Sequence, residues 1–294
     1  MRKRLLKYCI LLILVVMFVN SIVNASEVIN YILDYTELFF IKLFPSAFIF
    51  FTLASLLLEY GFIEELSDLF KFNSSVLFVT IISLVSGFPS GAKYTVDLLD
   101  KGLISNKVAK YLLMFTHFPN PIFILGSVYT LVLNKKICFF MLLSIILSNL
   151  IIMLLFRVKE KSKYEKKVST LPNFSESLSK CCYSSIKIIV NIYSISLFYY
   201  LISQVIILNV DVDNVVKIVI SGVFDLVNGI FLVDNISNLE FRYFLILMFV
   251  SFGSISVHAQ VKSIINKKIN YFYFFFGRII STCLSLVIFK LLIW

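Results

Sequence analysis

Long apolar runs, separated by short polar stretches, cover most of this chain, and several runs stop before they could cross a bilayer. One run, from Ser74 to Ser86, ends at the sequence GFPSGAK, residues 87–93. Another, from Tyr243 to Val250, ends at the small and polar sequence SFGSISVHAQ, residues 251–260. Lipid cannot bond free backbone N–H and C=O groups, so interrupted backbone at membrane depth lies against protein or lines a wet cavity. Two interrupted segments in corresponding places of two halves are typical of a transporter's substrate site.

Two further interruptions separate apolar segments in the same way. The sequence HFPNP, residues 117–121, follows an amphipathic segment, and the sequence DLVNG, residues 225–229, follows the apolar run Val215 to Phe224. Continuous apolar runs without the alternation of β-barrel strands predict an all-α, polytopic helical membrane protein with discontinuous helices and re-entrant hairpins. The uninterrupted runs predicted as helices are Leu5–Val23, Leu38–Leu58 with a kink at Pro45, Ile137–Phe156, Ser184–Leu208 and Tyr271–Leu292.

Composition supports a membrane protein. Of the 294 residues, 60% are hydrophobic, and the mean hydropathy is +0.95, whereas soluble domains are about 45–50% apolar. The net charge of +10 would suggest nucleic acid in a soluble protein, but the basic residues cluster at the ends of apolar runs, where they set topology. We therefore expect membrane lipid as a partner, no nucleic acid, and a multi-pass location in a bacterial cell membrane.

The charge pattern divides the chain into four parts. Residues 1–36 are predicted as an N-terminal membrane helix and an acidic outer loop. Residues 37–156 and 184–294 are predicted as two repeats, joined by a basic cytoplasmic linker at residues 157–183. The first repeat starts outside and the second inside, so the two are inverted, which is a common plan of secondary transporters. The N-terminal run is either a retained helix or a cleaved signal ending near Ala25, and its length favours the helix.

The first interruption has the chemistry of an anion site. Gly87 and Gly91 allow backbone conformations that are closed to other residues, and Pro89 ends the incoming helix. The N–H groups from Ser90 onward open a new helix, whose N-terminus attracts a carboxylate or phosphate, and Lys93 adds a full positive charge nearby. The alternative is a tight hairpin whose lysine reaches up to the membrane interface.

The other three interruptions carry polar side chains suited to a solute or a coupling ion. Asn120 lies between two prolines, which free its amide and nearby carbonyls, and an unperturbed histidine such as the nearby His117 would titrate near neutral pH. Asp225 lies inside an apolar segment, so it should pair, exchange a proton or bind a cation. We predict Asp225 and His117 as coupling residues; the alternatives are an acid at a helix end and a structural histidine. A small-residue packing face would explain the last interruption equally well. The remaining predicted substrate contacts are Asn228, Ser254, His258 and Gln260.

The sequence contains no catalytic, metal-binding or cofactor motif. It has no HExxH, no Walker lysine loop and no nucleophile elbow, and its two histidines lie far apart without carboxylates at ligand spacing. The five scattered cysteines are interpreted as small packing residues. We therefore expect neither an enzyme nor a bound cofactor or metal.

Taken together, the interrupted segments resemble the YlbJ-type sporulation integral membrane proteins, which carry a nucleoside-recognition, or Gate, domain twice. The resemblance implies a fold similar to concentrative nucleoside transporters and a role in moving dipicolinate from the mother cell across the outer forespore membrane. Lys93, with His258 and Gln260 opposite, would then receive this planar aromatic dianion. The stretches that carry the resemblance are residues 86–93, 102–105, 120–126, 228–230 and 251–261.

Three functions from different classes follow from these features. The first is a secondary transporter of a small organic anion, with dipicolinate as the leading substrate and a nucleoside-like solute as the alternative. The second is a nontransporting membrane assembly module that forms a homo-oligomer or binds other sporulation membrane proteins. The third is a membrane enzyme, for which the sequence offers no catalytic set.

Overall fold

The structure, a computed structural model, describes residues 2–62, 65, 74–156 and 172–293, and these form helices joined by short turns, with no strand among them. A helix satisfies its backbone hydrogen bonds within one segment, which is what a bilayer requires. In chain order the elements are α1 (Arg2–Val23), α2 (Ala25–Lys42), α3 (Phe44–Glu59), α4 (Ser74–Ser86), α5 (Ser90–Asp100), α6 (Asn106–Phe115), a π-helical turn (Phe123–Val128), α7 (Tyr129–Val132), α8 (Lys135–Leu155), α9 (Phe174–Asn209), α10 (Asn214–Phe224), α11 (Leu226–Leu232), a 3-10 turn (Val233–Asn235), α12 (Leu239–Phe252), α13 (Ile255–Ile265) and α14 (Phe272–Ile293).

Four stretches in the described part of the chain are long and apolar enough to cross a membrane. They are α8, α9, α14 and the combined stretch Leu239–Ile265, which contains α12 and α13. α1 and α2 meet the same criteria only together, and they are bent by 101° where they join. α1 leaves large apolar side chains exposed, with Leu12 at 65% and Phe18 at 69%, as a surface in lipid would. The predicted all-α, multi-pass membrane protein is confirmed, while the inverted relation of its halves stays a prediction.

The N-terminal part differs from the prediction in two places. The outer loop expected before residue 37 is wrong, because α2 is helical here and buries Val28, Tyr35 and Phe39. The single helix predicted from Leu38 to Leu58 is also wrong, because α2 ends at Lys42 and α3 begins at Phe44, with Pro45 in its first turn. Proline is tolerated at that position because its missing N–H has no partner there in any helix.

The end of the basic linker predicted at residues 157–183 is helical in the structure. α9 already begins at Phe174, where the side chain of Asn173 accepts a backbone hydrogen bond at 3.0 Å and caps the helix. Residues 157–171 of this linker lie outside the described residues.

The four interruptions are of two kinds. α4 turns back to pack against α5, and α10 turns back to pack against α11, so each pair forms a hairpin. In contrast, α6 leads through residues 116–120 into the π-helical turn, and α12 leads through Gly253 into α13 as one candidate span. Each half therefore has a hairpin, a broken helix and a long helix in the same order, with α8 and α14 as the long helices. The sequence predicts that the segments at 74–93 and 243–260 correspond to each other. In the structure the first is a hairpin and the second is a broken helix.

The two long helices α8 and α14 pack along each other and join the halves. At their contact, Ser148 Oγ lies 3.0 Å from Ser281 Oγ and 2.9 Å from Ser285 Oγ. Small polar residues of this kind let helices approach closely inside a membrane. The buried apolar residues form two clusters. One cluster is built mainly from α2 to α6 with α9, and the other is built mainly from the π-helical turn, α8, α11 and α12.

Candidate functional site

A cavity lies between the two apolar clusters, at the place where all four interruptions meet. The enclosed volume of the cavity is about 70 Å³, well below the roughly 300–1,000 Å³ of typical small-molecule sites, so a bound solute requires its walls to move apart. Aromatic and aliphatic side chains from both clusters form most of the wall. Of the described residues that line it, Asp225 alone is charged. The polar lining residues are Ser86, Asn120, Ser196, Asp225, Ser256 and Gln260.

Asp225 forms the turn of the α10–α11 hairpin and is only 1% exposed. Its Oδ1 accepts a hydrogen bond from Asn228 N at 3.1 Å, so the carboxylate caps α11. Its Oδ2 accepts from the hydroxyls of Tyr35 at 3.1 Å and Ser256 at 3.2 Å. No ion pair in the described part of the chain includes Asp225. The carboxylate is therefore held in place by neutral donors, and its charge is left available to a proton, a cation or a solute.

Asn120 is positioned by the close approach of the α4–α5 hairpin. Gly87 has a φ of +78°, and a Cβ on it would lie 2.7 Å from Asn120 N. A Cβ on Gly91 would lie 1.8 Å from Thr116 O. Only glycine fits where two backbones come this close. The side chain of Asn120 accepts from Ile122 N at 2.8 Å, so the hairpin and the second interruption together fix one wall of the cavity.

The fourth interruption supplies the opposite polar wall. Ser254 Oγ accepts a hydrogen bond at 3.4 Å from the backbone N–H three residues later, and it lies 2.6 Å from Ser256 Oγ. Gln260 Nε2 donates to Ser196 Oγ at 2.8 Å, which joins α13 to α9. The serine cap lets the helix resume at Ile255, inside the stretch that was predicted to be interrupted up to residue 260.

The cavity brings together only some of the predicted site residues. Lys93 does not line it, because its Nζ donates to Asp97 Oδ2 at 2.8 Å and lies 4.3 Å from the centre of the Tyr94 ring. The lysine charge is thus neutralised one turn further along its own helix. The predicted residues that do line the cavity are Asn120, Asp225 and Gln260.

Both histidines lie outside the cavity lining, among aromatic rings. His117 stacks on Phe88 with ring centres 4.7 Å apart, and its Nε2 is buried without a hydrogen-bond partner in the described part of the chain. His258 Nδ1 lies 2.5 Å from the hydroxyl of Tyr271, and its Nε2 lies 3.1 Å from Phe252 O. The other predicted residues, which belong to turns and helix ends beside the cavity, are Gly87, Pro89, Ser90, Gly91, Asn228 and Ser254.

Three residues that contact the polar side chains of the cavity, Tyr35, Ser196 and Ser256, were not predicted from the sequence. Tyr35 shares a helical face with Val28 and Phe39, and this spacing was a usable signal for a buried helix. Ser256 belongs to a run that was interpreted as a break, although it lies in the first turn of α13. Ser196 lies in the middle of α9 with nothing in its neighbourhood to single it out.

The chain is similar in part to a curated protein. Over 93 residues it is 36% identical to the sporulation integral membrane protein YlbJ of Bacillus subtilis (strain 168). The match covers 29% of this chain and 23% of the relative, so the chain spans less than a quarter of the relative's length. No family model matches the chain, and no solved structure matches it. The membrane-spanning helices and this partial similarity together identify an integral membrane protein that is similar, over one segment, to YlbJ.

Proposed function

We propose that the protein is a secondary transporter that carries a small organic solute across a membrane by alternating access. The observation that carries this proposal is the cavity bounded by all four interruptions. Unwound segments and half-helix ends at membrane depth are the usual binding elements of such transporters. Two walls belong to the hairpins α4–α5 and α10–α11, and two belong to the broken helices, so movement of one set against the other opens the cavity to one side at a time.

The similarity to a sporulation integral membrane protein supports a role in a spore-forming cell. We therefore propose the outer forespore membrane as the location. Dipicolinate, the aromatic dicarboxylate that the family resemblance implies, is the first solute to test, and it would move out of the mother cell.

Asp225 sets a condition on any anionic solute. A solute carboxylate about 4 Å from an ionised Asp225 would be repelled by about 4 kcal/mol at an effective dielectric constant of about 20. None of the described lining residues is basic, so no cation of the cavity wall offsets this repulsion. A dicarboxylate is therefore bound when Asp225 carries a proton, and we propose that a proton is taken up together with the solute.

A neutral, nucleoside-like solute is the second candidate, and the same residue favours it. An ionised Asp225 would accept hydrogen bonds from the hydroxyls of a sugar, as it already accepts them from Tyr35 and Ser256. The side-chain amides of Asn120 and Gln260 each combine a donor with an acceptor, which is what a nucleobase edge requires. This solute would need no proton on Asp225.

The test is uptake by the full-length protein in proteoliposomes, with labelled dipicolinate and labelled uridine, each with and without an inward proton gradient. Dipicolinate uptake that depends on the gradient would support the first candidate. Uridine uptake that is independent of the gradient would support the second. If folded wild-type protein takes up neither, the transporter proposal is wrong, and the assembly module becomes the function to test by co-purification of a stoichiometric partner.

A further inference from the structure

Arg278 of α14 is fully buried, with an exposed fraction of 0%, and forms no ion pair with a described carboxylate. Its Nη1 donates to two carbonyl oxygens, His117 O at 3.2 Å and Ser251 O at 3.3 Å. Its Nη2 donates to Met114 O at 3.0 Å and to Asn149 Oδ1 at 2.8 Å. A single side chain therefore bonds to α6, to the second interruption, to α8 and to α12.

Helix ends balance the charge of this guanidinium. Met114 and Ser251 lie in the last turns of α6 and α12, where backbone carbonyls have no donor within the helix. Each helix C-terminus carries about half a negative charge, so two of them facing one guanidinium supply about one unit. Burial of a charge is costly unless the charge is compensated, and here the backbone of two helix ends provides that compensation instead of a carboxylate.

The surrounding packing fixes the arginine against α6. A Cβ on Gly277 would lie 2.2 Å from Met114 O, so the backbone of α14 comes as close to α6 as two chains allow. Asn149 Nδ2 also donates to His117 O at 3.4 Å. The guanidinium thus sits in a tightly packed junction of four elements.

We infer that Arg278 is a positioning residue that locks the two broken helices into one rigid unit. Through His117 O it fixes the backbone that leads to Asn120, and through Ser251 O it fixes the backbone that leads to Ser256. Two walls of the cavity therefore keep a constant separation while the hairpins α4–α5 and α10–α11 move. The effect on uptake rests on the proposed transport function, whereas the fixed separation does not.

The experiment measures that separation directly. Spin labels are placed at Ile122 and Ile255, which lie just after the break in each broken helix and are 55% and 37% exposed. Double electron–electron resonance in nanodiscs should give one narrow distribution of the distance between the two labels in otherwise wild-type protein, with or without dipicolinate or uridine. Arg278→Gln should broaden the distribution. It should also raise the apparent KM of whichever probe is transported by about tenfold or more, because several bonds from a charged donor are lost.

Two further variants complete the test. Arg278→Lys keeps the charge, but a compact ammonium cannot span four separated acceptors. This variant should therefore also broaden the distance distribution, though less than Arg278→Gln does. If Arg278→Gln does not fold, Arg278→Lys provides the test. Arg242→Gln is the matched control, because Arg242 also donates to backbone carbonyls, but near the other end of α12. The distance distribution of this variant should stay as narrow as that of the wild type. Wild-type distributions in both Arg278 variants would overturn the inference. A wild-type protein that transports neither probe would contradict the transport function alone, since the distances are also measured in the absence of a solute.

Discussion

The hydroxyl of Tyr35 donates a hydrogen bond of 3.1 Å to Asp225 Oδ2, although the two residues are 190 positions apart in the chain. Tyr35 belongs to α2 and precedes the first predicted repeat, and its ring stacks on Tyr200 of α9 with centres 4.8 Å apart. The N-terminal part of the chain is therefore attached directly to Asp225, the one charged residue among the described residues that line the cavity. This makes α2 a structural part of the candidate site.

Replacement of Asp225 by asparagine should abolish gradient-driven uptake without unfolding the protein. The amide has nearly the same size and can still cap α11, but it cannot bind and release a proton. We expect the rate of gradient-driven dipicolinate uptake to fall at least about tenfold, in line with the loss of interactions that require a charged group. Exchange of solute across the membrane at equal concentrations should persist, since it needs no net proton movement.

The matched control for this prediction is Asp234→Asn. The Asp234 side chain is 61% exposed and pairs with Arg242, and exposed ion pairs contribute little to stability. Uptake by this variant should equal that of wild type. Full gradient-driven uptake by Asp225→Asn would show that Asp225 is not the coupling residue.

Replacement of Tyr35 by phenylalanine should lower both stability and uptake. The change removes one donor to a buried carboxylate, and such bonds contribute about 1.5–3 kcal/mol. Thermal unfolding in detergent, followed by circular dichroism, should show a lower midpoint than for wild type. Tyr31→Phe is the comparison, because Tyr31 lies on the same helix and packs edge-on against Tyr200. Equal midpoints for the two variants would argue against the contact between Tyr35 and Asp225.

Replacement of Gly91 by alanine should destabilise the protein by about 1–3 kcal/mol or more, which is the usual cost of forcing an extra methyl group into a filled space. The new methyl group would meet Thr116 O at 1.8 Å, so the hairpin must move away from the second interruption. The yield of monodisperse protein after heating, measured by size-exclusion chromatography, reports the loss. In Gly126→Ala the methyl group meets nothing within 4 Å, and this variant should behave as wild type. A Gly91→Ala protein as heat-resistant as Gly126→Ala would contradict the close packing.

Replacement of Lys93 by alanine distinguishes the sequence hypothesis from the structural one. If Lys93 receives the anion, uptake should be lost. The pairing of Lys93 with Asp97, outside the cavity lining, predicts instead that uptake stays close to wild type. Initial rates of uptake in proteoliposomes separate the two outcomes. The comparison is the double variant Lys93→Ala with Asp97→Ala, because it also removes the carboxylate that Lys93→Ala alone leaves unpaired.

The interruptions could be predicted from the sequence because their causes are local. The helix predicted from Ser74 to Ser86 has those bounds in the structure, since Gly87 and Pro89 end it whatever the remainder of the chain does. The break at Asp225 follows from the same kind of signal, a short polar residue that caps the next helix. Chemistry of this kind acts within a few residues and is visible in the sequence.

The prediction failed where packing between distant segments decides the structure. Acidic residues made the region before residue 37 look like a loop, but those acids are exposed while Tyr35 and Phe39 are buried against α9. Which residues meet at the cavity also depends on helix rotation, so Lys93 pairs with Asp97 and Gln260 reaches Ser196. Arg278 could have been predicted from the sequence, because an ionisable residue inside an apolar run is a functional candidate by default. Its four hydrogen-bond acceptors could not have been predicted, because they come from three other parts of the chain.

The cavity takes its outline from the ends of helices, and side chains such as Asn120, Ser256 and Gln260 only line that outline. Apart from Asp225, which caps α11 and lines the cavity, the glycines and caps that set these helix ends lie outside the lining. A descendant of this gene could therefore exchange the lining residues for others and acquire a different cargo while the frame stays the same. Under the proposed transport function, the choice of solute can thus change separately from the mechanism that moves it.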